Sequence, residues 1–176
     1  MPAGSRRSWG WHALADPFAA ALVADADVRP GQLVVDLGAG DGAITRHLVD
    51  AGARVLAVEK HPRRAAALRE RFDGSGVTVV PADLRDLRLP RRPFRVVANP
   101  PFSLTSASLR LLLAPGSALV GAHLVLQRQA ARTIVERGVA VRRAGRWRFE
   151  LGRTLPRRAF TPRPRVDTVV LVVRRR

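Results

Sequence analysis

Cysteine is absent from this chain, and lysine nearly so: Lys60 is the single lysine among thirty-one basic residues, the rest being arginine. Without cysteine there are no disulfides and no thiolate metal sites, so a cytoplasmic location is the default expectation. The other possible metal ligands are no better placed. His47, His61 and His123 are scattered and read as surface or core histidines, so no metal is expected. Long hydrophobic runs are missing too. The stretch Leu119–Leu126, interrupted by Gly121 and His123, is far too short to span a bilayer. Residues 1–12 are basic but lack a continuous apolar core, so no secretory signal is expected. Neither an internal repeat nor a domain-splitting linker is present. A length of 176 residues with 47% hydrophobic content fits a single domain over residues 1–176, with a basic amino-terminal arm over about 1–12.

Acidic residues are scarce: fourteen against thirty-one basic ones, for a net charge of +17. A coding bias toward arginine explains the arginine-to-lysine ratio but not the excess of positive charge. A field of this size on so small a domain attracts polyanions. Nucleic acid is the leading partner, because no basic amphipathic anchor with bulky apolar residues points to a membrane.

Apolar periodicity and turn residues predict the order of elements. Asp16-Pro17 reads as an N-cap and first-turn pair opening a helix that Arg29-Pro30-Gly31 stops. Strands are predicted at Gln32–Leu37, Arg54–Glu59, Val77–Val80, Phe94–Ala98, Ala118–Leu126, Arg146–Thr154 and Val166–Val173. Helices are predicted at Gly42–Asp50, from Pro62 to Phe72, at Thr105–Leu113 and at Gln127–Arg137. Strands alternating with helices, then two strands in succession, predict an α/β fold: a seven-stranded, mostly parallel, doubly wound sheet closed by an antiparallel pair. Ligands of such sheets bind beyond the carboxyl ends of the strands, near the point where strand order reverses. A glycine loop, Glu59, Asp83 and Asn99 all fall at predicted strand ends.

The loop is Asp36-Leu37-Gly38-Ala39-Gly40-Asp41-Gly42. Glycines between a buried strand and a helix let the backbone turn tightly and approach a ligand. The spacing Gly-x-Gly-x-Gly is one residue tighter than the dinucleotide-binding fingerprint, so it suits a zwitterionic amino-acid tail better than a pyrophosphate. Asp36 can act as an acceptor or electrostatic partner for a cationic donor, although a plain strand-to-helix turn gives the same pattern. Glu59, twenty-three residues further on, can accept both hydrogens of a ribose diol, or can be a solvated strand-end charge. Asp83 can accept from an adenine amino group, with Leu84 packing nearby, or can cap a turn. Three such positions in register with three strands point to S-adenosyl-L-methionine, with Lys60 and Leu84 counted in the same site.

Asn99-Pro100-Pro101-Phe102, at the end of an apolar run, is suited to an exocyclic amine. Such a nitrogen is a poor nucleophile because its lone pair is delocalised into the ring. Accepting both N–H hydrogens, at the Asn99 side-chain oxygen and the Pro100 carbonyl, pyramidalises it and aims the lone pair. The prolines stiffen the elbow, and Phe102 offers a face for a flipped base. Phe160, within Arg157-Arg158-Ala159-Phe160-Thr161-Pro162-Arg163-Pro164, reads either as an exposed ring for the base's other face, with arginines on phosphates, or as packing on the last hairpin.

Val34–Thr45 (VVDLGAGDGAIT), Glu59, Pro81-Ala82-Asp83, Asn99–Phe102, Leu126-Gln127-Arg128 and Phe160-x-Pro-x-Pro-x-Val166 together resemble the ribosomal RNA adenine N6-methyltransferases, specifically the erythromycin-resistance (Erm) group. The resemblance spans nearly the entire chain. It implies a Rossmann-like class I methyltransferase fold using S-adenosyl-L-methionine, and methylation of an adenine in the peptidyl-transferase region of 23S rRNA or its precursor, which lowers macrolide binding. It also implies donor or target contacts at Gly38, Gly40, Glu59, Asp83 and Asn99, and stacking at Phe102. Two departures stand out. Trp11-His12-Ala13 replaces the group's usual Gln-Asn-Phe, which makes His12 the expected donor contact there. The chain ends after its last strand, where most relatives continue into a helical domain. RNA grip is therefore expected from Arg6, Arg7, Arg128, Arg157, Arg158, Arg163 and other arginines around 142–165, with a monomer as the simpler assembly.

Three alternatives share parts of this pattern. A dimethyladenosine transferase of small-subunit rRNA usually carries Asn-Leu-Pro-Tyr at the acceptor element. DNA adenine and protein glutamine methyltransferases use Asn-Pro-Pro-aromatic, but the charge and the Phe160-Thr-Pro-Arg-Pro segment favour structured RNA. A catalytically idle RNA-binding or ribosome-assembly factor on the same fold has no need of Gly38, Gly40, Glu59, Asn99 and Phe102 together.

Overall fold

Short runs rich in valine and leucine, each bounded by glycine, proline or charge, form the centre of the molecule. The computed structural model describes residues 11–139 and 144–176. In chain order its elements are β1 (Ala13–Leu14), α1 (Asp16–Asp25), β2 (Leu33–Leu37), α2 (Ala43–Asp50), β3 (Arg54–Val58), α3 (Pro62–Arg71), β4 (Val77–Val80), β5 (Phe94–Ala98), α4 (Thr105–Leu112), β6 (Leu119–Gln127), α5 (Arg128–Arg137), β7 (Trp147–Leu155), β8 (Phe160–Thr161) and β9 (Thr168–Arg175). Strands β2, β3 and β5 are mostly apolar, with Asp36 and Arg95 the charged residues within β2 and β5, because helices cover both sides of a parallel sheet. On one side Leu22 and Val23 of α1, Ile44 and Leu48 of α2, and Leu68 of α3 form one core layer. On the other, Leu109 and Leu112 of α4 and Ala131 and Ile134 of α5 form the second.

Seven strands make one sheet in the order β4-β3-β2-β5-β6-β9-β7. The pairs from β4 through β6 are parallel, as expected. The carboxyl-terminal strand β9 inserts between β6 and β7 and runs antiparallel to both. The chain therefore reverses its winding between β2 and β5, which lie side by side although about sixty residues separate them. Whatever follows those two strands shares one crevice.

Two details differ from the sequence reading. Asp16 does not cap α1: it is the helix's first residue, and Ala15 occupies the N-cap without a side-chain bond. The Asp16 carboxylate instead accepts from Arg46 and lies 2.8 Å from His47 Nε2, tying α1 to α2. A separate two-stranded sheet, β1 with β8, also forms, with Leu14 opposite Phe160 and Ala13 opposite Thr161. It docks the segment before α1 onto the loop between β7 and β9.

Candidate active site

The first turn of the site comes from backbone that only glycine adopts without strain. Gly38 and Gly40 have φ of +74° and +57°. A Cβ on Gly38 would lie 3.2 Å from Pro101 Cδ, and one on Gly40 would lie 2.7 Å from Trp11 Nε1. The N–H groups of Gly38 and Ala39 both donate to the Val58 carbonyl, at 2.9 Å each, which pulls the loop over the end of β3. The glycine loop is thus pressed against the Asn-Pro-Pro-Phe element on one side and against Trp11 on another.

Beside this loop lies a cavity of about 370 Å³, lined by Trp11, Gly38, Val58, Glu59, Lys60, His61, Arg64, Ala82, Asp83, Leu84, Arg85, Pro101, Ser103 and Leu104. Glu59 is buried, and its two oxygens accept separately, one from the Gly40 N–H and one from the His61 N–H, at 2.8 Å each. Both bonds come from backbone, so the carboxylate is fixed in place and keeps its remaining lone pairs for a diol. Asp83 receives hydrogen bonds from the Arg85 side chain and lies 2.7 Å from Lys60 Nζ. These cations, Arg85 first, hold its carboxyl well below the usual carboxylate range. Lys60 is therefore Asp83's partner as well as a wall of the cavity, and Leu84, also in that wall, is buried. Asp36 lies deeper. It is 1% exposed and accepts from Thr45 Oγ1 at 2.8 Å, with its other oxygen unpartnered among the described residues. Burial, with Glu59's charge a smaller contribution, pushes its pKa up to about 7. It is buried and is not among the residues that line the cavity.

Asn99 and Pro100 follow β5, and Phe102 opens a short 3-10 turn, Phe102–Leu104. Asn99 Nδ2 donates to the His12 carbonyl at 2.8 Å. The His12 ring lies against Phe102, with centroids 5.5 Å apart and planes tilted by 26°. His12 was expected at the donor. Its side chain instead turns to Phe102 and to the Pro162 carbonyl, 2.7 Å from Nδ1, and it is absent from the cavity wall. Trp11, next to it, lines the main cavity and a small recess that reaches Asn99. The Arg64 guanidinium stacks 4.0 Å from the centroid of the Trp11 ring. Within the Trp11-His12-Ala13 segment, the cavity is lined by Trp11 and not by His12. Arg64, from the first turn of α3, had no sequence signal.

Phe160 requires a correction. It is 1% exposed and packed in the core layer with Leu14, Leu155 and Ala159, so its ring is not offered to a base. Pairing of β8 with β1 turns it inward. The basic residues separate as well. Arg158 and Arg163 are exposed, whereas Arg157 Nε donates to Asp167 at 3.0 Å. Arg128 is half-buried at the start of α5, its backbone N–H bonded to the Asp167 carbonyl. Arg6 and Arg7 lie outside the described residues, as do Arg142 and Arg143. No cluster of three or more His, Asp or Glu side chains suited to a metal occurs among the described residues, and no described helix is long and apolar enough to cross a membrane.

The family described as ribosomal RNA adenine dimethylase matches residues 4–176. An rRNA adenine N-6-methyltransferase of Corynebacterium diphtheriae is 37% identical over 147 residues, covering 81% of this chain and 57% of the relative. The mycinamicin-resistance protein MyrB of Micromonospora griseorubida is 35% identical, covering 98% of this chain and 57% of its own length. The ribosomal RNA small subunit methyltransferase A of Thermosynechococcus vestitus is 32% identical, over 97% of this chain and 69% of the relative. Among solved structures, the 23S rRNA methyltransferase ErmE superposes with a TM-score of 0.81 at 33% identity, covering 93% of this chain and 69% of that one. The chain spans a little over half the length of its Corynebacterium and Micromonospora relatives.

Proposed function

The chain belongs to the ribosomal RNA adenine dimethylase family, and from that premise we propose that it transfers methyl from S-adenosyl-L-methionine to N6 of an adenine in the peptidyl-transferase region of 23S rRNA, lowering macrolide binding. The observation that carries this reading is how near the two elements lie, a Cβ on Gly38 falling 3.2 Å from Pro101 Cδ, which sets a donor-type loop beside an amine-type elbow. The relatives named for 23S rRNA methylation and for mycinamicin resistance supply the substrate class.

The residues present fit the donor. Gly38 lines the cavity with no side chain to narrow it, Glu59 offers a backbone-fixed carboxylate for the ribose, and Asp83 and Leu84 in the same wall suit an adenine. S-adenosyl-L-methionine supplies an electrophilic methyl group carried on a sulfonium. The protein's part is orientation. Asn99 Oδ1 and the Pro100 carbonyl accept the two N6 hydrogens, so the nitrogen lone pair is freed from the ring and directed. Phe102 supports the base, and Pro100 and Pro101 keep the acceptors from drifting. No strong base is required, because the amine becomes acidic only after methylation and then releases its proton to water. Preorganised acceptors supply the remaining acceleration.

A second reading is methylation of small-subunit rRNA, favoured by the 32% identity with the Thermosynechococcus enzyme over nearly the whole chain. Transfer of labelled methyl to bacterial rRNA, followed by primer extension, separates the two. A stop at an adenine of the 23S peptidyl-transferase region is expected. Label confined to 16S rRNA would transfer the assignment to the second reading, and no label in either would end both.

A further inference from the structure

We propose that His12 is a positioning residue for the acceptor base: it orients the Asn99 amide, backs the Phe102 ring and ties both to the arginine-rich loop. The inference rests on the methyl-transfer reading above and assigns a part of that site which neither the resemblance nor the relatives' names supply. Three contacts carry it.

The first concerns which way Asn99 faces. A backbone carbonyl only accepts hydrogen bonds, so the group 2.8 Å from the His12 oxygen must be the Asn99 NH2. That bond fixes the amide against a flip and turns Oδ1 the other way, where it has no partner among the described residues. An acceptor for an amino hydrogen is thereby exposed instead of a donor, which would repel it.

The second concerns Phe102. With His12 lying 5.5 Å away at a 26° tilt, one face of the phenyl ring is covered by imidazole. A flipped purine then has one face left to stack on, and the ring presenting that face cannot swing back. The third is the anchor of the imidazole itself. The Pro162 carbonyl, 2.7 Å from Nδ1, requires that Nδ1 carry the hydrogen. Pro162 lies between exposed Arg158 and Arg163. The ring that supports the base elbow is therefore held by the same loop that presents those arginines to phosphates.

The test uses the full chain, with His12→Ala and His12→Phe measured for methyl transfer to rRNA and, by calorimetry, for S-adenosylhomocysteine binding. Misplacement of reacting groups by about 1 Å costs on the order of 100-fold. His12→Ala keeps the backbone carbonyl to which Asn99 donates but removes both ring contacts that hold that carbonyl in place, and is therefore expected to lower kcat by ~10–100-fold while donor Kd stays within about twofold. His12→Phe, which keeps a ring against Phe102, is expected to recover much of that loss at saturating RNA and to keep a raised KM, having lost the Pro162 anchor. Thermal melts of both variants separate this from misfolding, and the phenylalanine variant preserves apolar bulk if alanine does not fold. An unchanged kcat in His12→Ala would overturn the proposal. So would a rise in donor Kd matching the loss of kcat/KM, which would make His12 a donor contact. If wild-type protein transfers no methyl to rRNA, it is the functional reading that fails; normal wild-type transfer with unchanged His12 variants removes only this proposal.

Discussion

In the proposed mechanism Asn99 concentrates the chemistry of the site in one side chain, and its removal should separate chemistry from binding. Asn99→Ala deletes an acceptor of the amine hydrogens but leaves the cavity wall at Glu59, Asp83 and Leu84 untouched. The expected result is loss of methyl transfer with donor affinity nearly unchanged, read by labelled transfer and calorimetry on the same preparation. Phe102→Ala should weaken base capture by about 1–3 kcal/mol, the worth of one stacked base. Two buried titrating residues make a different prediction. Asp36 holds its proton up to about pH 7 in the fold, whereas the unfolded chain releases it near 3.8. Its contribution to stability is therefore complete below pH 3.8 and is lost as pH rises toward 7. His123, on β6, is depressed from 6.5 to about 4, first by burial and then by the charges of Arg95 and Arg174. Its contribution is complete above 6.5 and is lost as pH falls toward 4. The two slopes oppose each other over nearly the same window. Asp36→Asn should remove the first and leave the second, so its unfolding free energy should climb between pH 4 and 6.5 more steeply than that of the wild type. Parallel denaturant curves for the two proteins would show that Asp36 carries no such proton.

At the scale of elements, the glycine loop and the small β1–β8 sheet do different work. Gly38→Ala would force a side chain into a φ of +74° with its Cβ 3.2 Å from Pro101. The left-handed backbone alone costs about 1–2 kcal/mol, and relief of the contact moves either the donor loop or the acceptor elbow. Donor affinity and kcat should therefore fall together, unlike the split expected for Asn99→Ala. Phe160→Ala tests the other element. Removal of a buried phenyl group costs about 3–5 kcal/mol, so a large drop in melting temperature is expected, with RNA KM unaltered in the folded fraction. A stable variant with impaired RNA binding would restore the base-contact role. The main sheet was legible because its valine and leucine runs are local patterns with helices between them. So were Glu59, Asp83 and Asn99, since a strand end can be read from the run that precedes it. The β1–β8 pair was not legible: two residues pairing with two others across about 150 positions leave no periodicity. Phe160 is buried by that pairing, and the His12 ring, beside it, meets Phe102 and the Pro162 carbonyl, which is why those two readings needed the structure. Asp16 misled for a related reason. A capping signature is local, but the pull of His47 and Arg46 on α2 is not.

For the molecule as a whole, the order β4-β3-β2-β5-β6-β9-β7 opens one crevice at the strands' carboxyl ends, and the +17 charge decides what reaches it. Each phosphate contact that displaces a counterion steepens the fall of affinity with salt, by about 0.9 in log–log slope on duplex and about 0.7 on single strands. Binding of rRNA fragments should therefore weaken steeply between low and physiological salt. The arginines near the acceptor elbow are not equivalent in this respect. Arg158 and Arg163 are exposed with no carboxylate partner among the described residues, whereas Arg157 donates to Asp167 at 3.0 Å. A phosphate engaging Arg157 must first compete with that carboxylate, so part of its attraction is already used within the fold. Arg158→Ala and Arg163→Ala should each reduce the salt slope by about 0.7–0.9, and Arg157→Ala by clearly less. Asp167→Ala should move in the opposite direction, releasing Arg157 and tightening binding at low salt. Equal effects from all three arginines would mean that the Arg157–Asp167 pair opens freely in solution. No effect from any of them would place the phosphate track on another face of the protein.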